Sequence, residues 1–191
     1  MIGLVSCSSA KLDRAAPARE LYTSTLFRLS LAYAEATCER VYVLSAMHGL
    51  VELHRELEPY DFTLRTRAGA EVWAIGVAGE LALLHGPRAE LLLLAGARYC
   101  DPLTRELELR YGFARARMHQ PLRGLQIGER LALLGPRAEL VAAVGLADVD
   151  TAHELAWWEA ARDARNHVER EFRREVLGRF VDPNDEEVSI D

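Results

Sequence analysis

Residues 24–45, STLFRLSLAYAEATCERVYVLS, combine a helix pattern with a strand pattern. Ser24 or Thr25 can cap a helix over the first two thirds of this segment, because apolar side chains recur there every three to four residues. VYVLS, residues 41–45, is a short apolar run typical of a buried strand, and IGLVS, residues 2–6, has the same character. Together they predict a strand–helix–strand unit in which both strands run parallel.

The rest of the chain continues this alternation. Residues 70–85, 102–112 and 122–134 favour helices, and residues 90–95 favour a third strand. From 150 to 180 apolar residues recur at spacings of three and four, which predicts one long amphipathic helix. We therefore predict an α/β fold, with a mixed or mostly parallel sheet flanked by helices and a long C-terminal helix.

Charge divides the chain into two parts. Residues 1–147 carry 17 basic and 16 acidic side chains, whereas residues 148–191 carry 6 basic and 13 acidic ones. We predict an α/β core domain that holds the site at 1–147, followed by an amphipathic helix and an acidic tail at 148–191. That helix can pack across the core domain or form a homodimer contact, and the sequence leaves both open.

Composition narrows the class of protein. Half of the residues are hydrophobic and 27% are charged, as in ordinary globular proteins. The apolar runs are too short to span a bilayer, and the N-terminus lacks a signal-peptide pattern. Three scattered cysteines without zinc-ligand spacing fit a reducing compartment. We expect a cytoplasmic protein with no membrane partner, no metal and no cofactor.

The parallel strands place two polar loops at one edge of the sheet. Strand 2–6 is followed by Cys7-Ser-Ser-Ala-Lys11, and strand 41–45 by Ala46-Met-His48-Gly49. Open α/β sheets bind ligands at the carboxyl ends of their strands, where these loops should meet. The side chains gathered there by this argument are Ser6, Cys7, Ser8, Lys11, Ser45 and His48.

Lys11 is the only lysine of a chain that contains 22 arginines. One interpretation is an ordinary surface lysine that is not arginine only by chance, in a chain whose composition otherwise favours arginine. Another is that chemistry requires an amine, because an amine can lose its proton and act as a nucleophile, whereas a guanidinium cannot. A compact contact to a phosphate or carboxylate is a third, and all three stay open.

The neighbours of Lys11 also have two interpretations each. Cys7 can be a thiolate activated by Lys11 or His48, or a small buried side chain. His48 can be an acid/base group or a structural histidine. Ser6 and Ser8 supply hydroxyl groups for an anion. Tyr22 and Tyr60 can stack on a planar base or pack in the core.

A basic segment lies at residues 98–123. Such a segment, with aromatic residues interleaved, can receive nucleic acid. The alternative is a solvated helix face whose arginines have salt-bridge partners. The candidate nucleic-acid contacts are Arg105, Arg110, Arg115, Arg117 and Arg123.

Two blocks resemble a family of small bacterial and phage proteins known only as a domain of unknown function. They are VSCSSAKLD with ARELYTSTLFRLSLAYAE, and VYVLSAMHGLVELHRELEPYDFTL. More distantly, the chain is similar to the YaaA-like peroxide-stress proteins, and its Cys-Ser-x-x-Lys loop is similar to that of archaeosine synthase, whose lysine is thought to attack a nitrile on a deazaguanine base. The resemblance implies an α/β fold, a nucleobase or nucleic-acid ligand, and a shared site that adds Gly49 and Asp61 to the candidates.

Three functions compete at this stage. The first is an enzyme that acts on a nucleobase or nucleic acid, DNA rather than RNA, with Lys11 as nucleophile or charge stabiliser. Cys7 and His48 would share the catalytic work, and the substrate-binding residues would be Ser6, Ser8, Tyr22, Ser45, Gly49, Tyr60 and Asp61. The second is a DNA-binding stress protein without turnover, and the third is an interaction module assembled through the C-terminal helix.

Overall fold

A computed structural model describes residues 1–135 of the chain, and these form an open sheet with helices on both faces. This confirms the α/β class and the mostly parallel sheet. The predicted long C-terminal helix, the acidic tail and the homodimer contact fall on residues 148–191, outside the described part. The elements in chain order are β1 Ile2–Ser6, β2 Ala16–Pro17, α1 Ala18–Leu21, α2 Thr25–Thr37, β3 Arg40–Ser45, β4 Gly49–Glu52, β5 Glu56–Leu57, α3 Arg67–His85, β6 Leu91–Leu94, α4 Ala97–Tyr111 and β7 Met118–His119.

The central strand of the main sheet is β1. The strand order is β4-β3-β1-β6-β7, in which β1 pairs parallel with β3 and β6, β6 pairs parallel with β7, and β4 is antiparallel to β3. The chain thus moves from β1 to β3 on one side and later returns to β6 on the other. Such a reversal opens a crevice at the carboxyl ends of the strands, where α/β proteins bind ligands.

Alternate residues of β1 bury against different helices, as the twofold period of a strand requires. Leu4 faces the main core, which contains Ala78 of α3 and Leu103 of α4. Gly3 points to the opposite face, where a Cβ atom would lie 3.0 Å from the Cβ atom of Ala34 on α2. The sheet therefore separates α2 from α3 and α4, and the absence of a side chain at Gly3 lets α2 approach closely.

We expect Gly3→Ala to lower the free energy of unfolding by about 1 kcal/mol, because the new methyl group overpacks this contact. The added Cβ would also lie 3.2 Å from the Cys38 sulfur. The matched control is Gly76→Ala in α3, where a Cβ meets nothing within 4 Å. That change should raise stability by roughly 0.5–1 kcal/mol, since glycine is unfavourable inside a helix. Urea unfolding measures the change in the free energy of unfolding for both variants. If the two substitutions changed it in the same direction, the packing argument would be contradicted.

Two helix boundaries differ from the prediction. Helix α4 begins at Ala97 rather than at 102, because its buried stripe already starts at Cys100, and the N–H groups of Tyr99 and Cys100 bond to the Gly96 carbonyl. Pro102 is accommodated inside the helix, close to its start. The last predicted helix begins later than expected: residues 121–124 form a turn, and 127–135 are helical.

The connection over residues 46–68, which shows no regular period in the sequence, contains a hairpin. Strand β3 turns through residues 46–48 into β4, with Gly49 at φ +71° in the left-handed region that favours glycine. Strand β5 then pairs with β2 outside the main sheet. These strands span only two to four residues, which is too short for the alternation of side chains to identify them.

Candidate active site

The loops after β1 and β3 touch at the carboxyl edge of the sheet. The backbone N–H of Cys7 donates to the Leu44 carbonyl at 3.0 Å, which extends the ladder between the strands by one residue. The Ala46 N–H lies 3.4 Å from the Cys7 sulfur. Cys7 is half-buried, so its thiol sits between two backbone segments that the parallel pairing of β1 and β3 brings together.

The Tyr60 hydroxyl joins two other side chains of this edge. It lies 2.8 Å from the Ser45 hydroxyl and 2.9 Å from the Tyr22 hydroxyl. The Ser45 oxygen also accepts the His48 N–H at 3.0 Å. Ser45 is fully buried at the end of β3, and Tyr22 is 1% exposed. Burial raises the pKa of both Tyr22 and Tyr60, so these phenols stay protonated at neutral pH.

Lys11 lies over the aromatic faces of the two tyrosines. Its segment runs antiparallel to the end of α1, with the Leu12 N–H donating to the Leu21 carbonyl at 2.8 Å, and an isolated bridge pairs Lys11 with Tyr22. The Nζ atom is 4.2 Å from the centroid of the Tyr60 ring and 5.7 Å from that of Tyr22. Both distances are within cation–π range. Among residues 1–135, the amine thus contacts ring faces rather than a carboxylate.

His48 stands edge-on to the Tyr60 ring, with 5.1 Å between ring centroids. Its position follows from the hairpin, because Gly49 closes the turn directly after it. Burial, and then the charge of Arg55, lower the pKa of His48 below its ordinary value of 6.5. The imidazole is therefore neutral at pH 7 and can accept a proton.

We expect the His48 ring protons to titrate with a midpoint below 6.5 in an NMR pH series. Arg55→Gln should move that midpoint upward, because one of the two causes is removed, whereas Arg28→Gln on α2 should leave it in place. The folded protein binds the His48 proton only at a lower pH than the unfolded chain does. The free energy of unfolding should therefore decrease as the pH falls through 6.5. A midpoint above 6.5 in the native protein would contradict this environment.

Two aromatic residues that the sequence analysis did not select complete the site. The Trp73 indole N–H donates to the Ser45 carbonyl at 2.8 Å, and the Tyr99 hydroxyl lies 3.4 Å from the Cys7 sulfur. Their rings meet edge to face at 5.1 Å. Burial raises the pKa of Tyr99, so it is protonated beside the thiol. Tyr99 follows β6, so the rule that ligands bind at the carboxyl ends of the strands could have identified it. Because the helix was predicted to begin at 102, Tyr99 was not considered at this edge.

The structure brings most of the predicted site residues together. The hydrogen bonds and ring contacts above join Cys7, Lys11, Tyr22, Ser45, His48 and Tyr60. Ser6 ends β1 beside them, and Gly49 supplies the turn. Ser8 donates to the Ala10 carbonyl of its own loop at 2.9 Å, and Asp61 is exposed next to Tyr60. The catalytic and binding roles of all these residues stay predictions.

The five predicted nucleic-acid contacts lie elsewhere and have protein partners. Four of them pair with carboxylates: Arg105 with Glu71 at 3.7 Å, Arg110 with Glu106 at 2.6 Å, Arg115 with Glu108 at 3.3 Å and Arg123 with Asp101 at 3.3 Å. Arg117 donates to the Arg88 carbonyl at 3.2 Å. This arrangement agrees with the interpretation of a salt-bridged helix face, and nucleic-acid binding by these arginines stays a prediction.

Within residues 1–135, no three His, Cys, Asp or Glu side chains are grouped so that they could hold a metal ion. None of the helices in this part combines the length and the apolar character that crossing a membrane requires.

The fold and this cluster define a class of protein: an open, mostly parallel α/β sheet with a lysine, a thiol, an imidazole and linked hydroxyls at its carboxyl edge. The chain belongs to the family described as "Family of unknown function (DUF6884)", which matches residues 2–136. This confirms the predicted membership of an uncharacterised family, whereas the similarity to YaaA-like proteins stays a prediction. Searches of curated proteins and of solved structures found no match.

Proposed function

We propose that this protein is an enzyme that acts on a nucleobase or on nucleic acid, DNA rather than RNA, with Lys11 as its nucleophile or charge stabiliser. The observation that carries the proposal is the position of the Lys11 amine, 4.2 Å from the Tyr60 ring centroid at the edge of the sheet. No other side chain of the sequence carries a primary amine. Within the part of the chain that the structure describes, the amine contacts ring faces and no carboxylate, so its N–H groups can meet a substrate.

The groups around Lys11 suit a flat, polar ligand. The rings of His48 and Tyr60 offer faces on which a planar base can stack. The Ser45 and Tyr22 hydroxyls, linked through Tyr60, can exchange protons without carrying charge. These features support a nucleobase as the ligand.

Lys11 and His48 can share the chemistry of the reaction. In the covalent mechanism, Nζ adds to an electrophilic carbon such as the C1′ aldehyde of an abasic site. A carbon–nitrogen double bond forms, and the carbonyl oxygen leaves as water. In the non-covalent mechanism, the Lys11 ammonium stabilises negative charge that develops on the substrate. The neutral imidazole of His48 serves as the proton acceptor in either case.

Borohydride trapping tests the covalent mechanism. The protein is incubated with DNA and RNA oligonucleotides that carry an abasic site or a modified base, and sodium borohydride then reduces any Schiff base to a stable amine. We expect a covalent complex with the wild-type chain and none with Lys11→Arg. Product analysis of the same mixtures detects turnover that leaves no adduct.

Matched substitutions separate the possible outcomes. Arg40→Lys, combined with Lys11→Arg, places a lysine at the exposed start of β3, the end of the strand opposite Ser45, and should not restore trapping. Trapping that persists in Lys11→Arg would show that another amine reacts. If the protein binds these oligonucleotides but gives neither adduct nor product, the enzyme proposal is rejected in favour of a DNA-binding protein without catalysis.

A further inference from the structure

A second candidate binding surface lies beside the site, between the starts of α3 and α4. It is a cleft of about 480 Å³, within the usual range of small-molecule sites. Its lining comes from the segment that enters α3 and from the N-terminal parts of the two helices. The charged lining residues are Arg65, Arg67, Glu71, Arg98, Asp101 and Arg105.

The charged groups of this arginine cleft leave an excess of positive charge. Four arginines line it against two carboxylates, Glu71 and Asp101, so the lining residues carry a formal charge of +2. Asp101 is also paired with Arg123, which is outside the lining, at 3.3 Å. The starts of α3 and α4 add the partial positive charge of two helix dipoles. The cleft therefore favours an anion.

The guanidinium groups have protein partners but keep N–H groups available. Glu71 pairs with Arg67 at 2.9 Å and with Arg105 at 3.7 Å, and Arg98 donates to the Leu64 carbonyl at 2.8 Å. A guanidinium carries five N–H donors, and these contacts use only some of them. Planar guanidinium groups match the paired oxygens of a phosphate.

The arginine cleft borders the candidate active site. Arg98 is followed by Tyr99, whose hydroxyl contacts the Cys7 sulfur. Ala70 lines the cleft and packs with Ala46, the residue after β3, in a small apolar cluster. An anion in the cleft and a planar group over Tyr60 could therefore belong to one ligand.

We propose that the arginine cleft binds a phosphate group of a nucleotide or of a nucleic-acid backbone. The assignment of phosphate stands on the cleft alone, and only the placement of the attached base at Tyr60 rests on the proposed function. Arg105 is the one predicted nucleic-acid contact that lines the cleft. Arg98 begins the predicted basic segment without being one of its five candidate contacts, and Arg65 lies outside that segment. Arg65 and Arg98 have no carboxylate partner among the described residues, so they are the arginines to substitute.

Isothermal titration calorimetry at low salt tests the cleft with four probes: deoxyguanosine, deoxyguanosine 5′-monophosphate, inorganic phosphate and a short single-stranded DNA. We expect the monophosphate or the DNA to bind more tightly than deoxyguanosine. The double substitution R65Q/R98Q should weaken that binding about tenfold or more, because two charge-assisted contacts are lost. Arg28→Gln, which removes an exposed arginine from α2, should change it less than about twofold.

The probes and variants distinguish the sources of the phosphate. Tight binding of the monophosphate indicates a nucleotide, and binding of DNA alone indicates the nucleic-acid backbone. In the second case, DNA binding by the double variant should release about two fewer counterions and so depend less on salt. Arg65→Gln alone keeps the Arg98 bond to Leu64 and should show a smaller loss in the same direction.

Three results would overturn the proposal: measurable binding of deoxyguanosine and its monophosphate with equal affinity, no binding of any phosphate probe, or unchanged affinity in R65Q/R98Q. Repeating the titration with Lys11→Arg keeps this proposal separate from the proposed function. Phosphate-dependent binding that survives in Lys11→Arg would show that the cleft acts without the lysine. The same binding by a wild-type chain that gives neither adduct nor product would support the cleft and reject only the proposed enzyme.

Discussion

Lys11→Met is expected to lower the single-turnover rate on the substrate identified by trapping by on the order of 10⁴-fold, if Lys11 is the nucleophile. The loss should be this large because the sequence contains no second lysine that could take over. Methionine keeps an unbranched side chain of similar length against the Tyr60 ring, so the fold should survive. Quenched-flow measurements with excess enzyme isolate the chemical step, and urea unfolding checks that stability changes by less than about 1 kcal/mol.

Lys11→Arg distinguishes the two roles left open for this residue. Arginine keeps the positive charge and the cation–π contact but cannot form a Schiff base. A nucleophile predicts equal losses for arginine and methionine. A charge stabiliser predicts that arginine stays within about tenfold of wild type, whereas methionine loses roughly 10²–10³-fold. Full activity in Lys11→Met would reject both roles.

Tyr60→Phe is expected to lower the free energy of unfolding by roughly 2–3 kcal/mol. The Tyr60 hydroxyl bonds two partners, and its removal leaves the Tyr22 hydroxyl, on a side chain only 1% exposed, without the bond that it makes to Tyr60. Ser45 keeps the His48 N–H as a partner, so Tyr22 should account for most of the loss. Chemical denaturation followed by fluorescence provides the measurement.

A double-mutant cycle assigns this loss to the hydroxyl pair. Tyr22→Phe alone should cost about 1 kcal/mol. Adding it to Tyr60→Phe should cost little more, because the hydroxyl that lost its bond to Tyr60 is then gone as well. Strictly additive losses would show that the two hydroxyls do not stabilise each other in solution.

The sheet could be predicted from the sequence because its strands are short apolar runs separated by a well-capped helix. Ser24 indeed caps α2, where its side chain accepts the Phe27 N–H at 3.2 Å. The parallel pairing of β1 and β3 follows from their connection through a helix, so the meeting of the Cys7 and Ser45 loops needs no further information. The sequence could not show which side chains inside those loops would touch.

The features that could not be predicted from the sequence depend on tertiary contacts between distant elements. Trp73 lies on α3 and resembles any half-buried helical aromatic residue until its indole is seen to bond to the end of β3. The arginine cleft requires the starts of α3 and α4 to lie side by side, and nothing local in Arg65 or Arg98 indicates that neighbour. Strand β7 has only two residues, and its pairing with β6 identifies it.

The central place of β1 in the sheet has a consequence for biosynthesis. This strand is made before the other described strands, yet its two neighbours are β3, Arg40–Ser45, and β6, Leu91–Leu94. Leu4 packs with α3 and α4, so its apolar side chain stays uncovered until residues beyond 100 have been made. Pairing across such sequence separations is slow and leaves apolar surface open to chaperones and aggregation. Residues 1–119 should accordingly fold as one late, cooperative unit rather than strand by strand during translation.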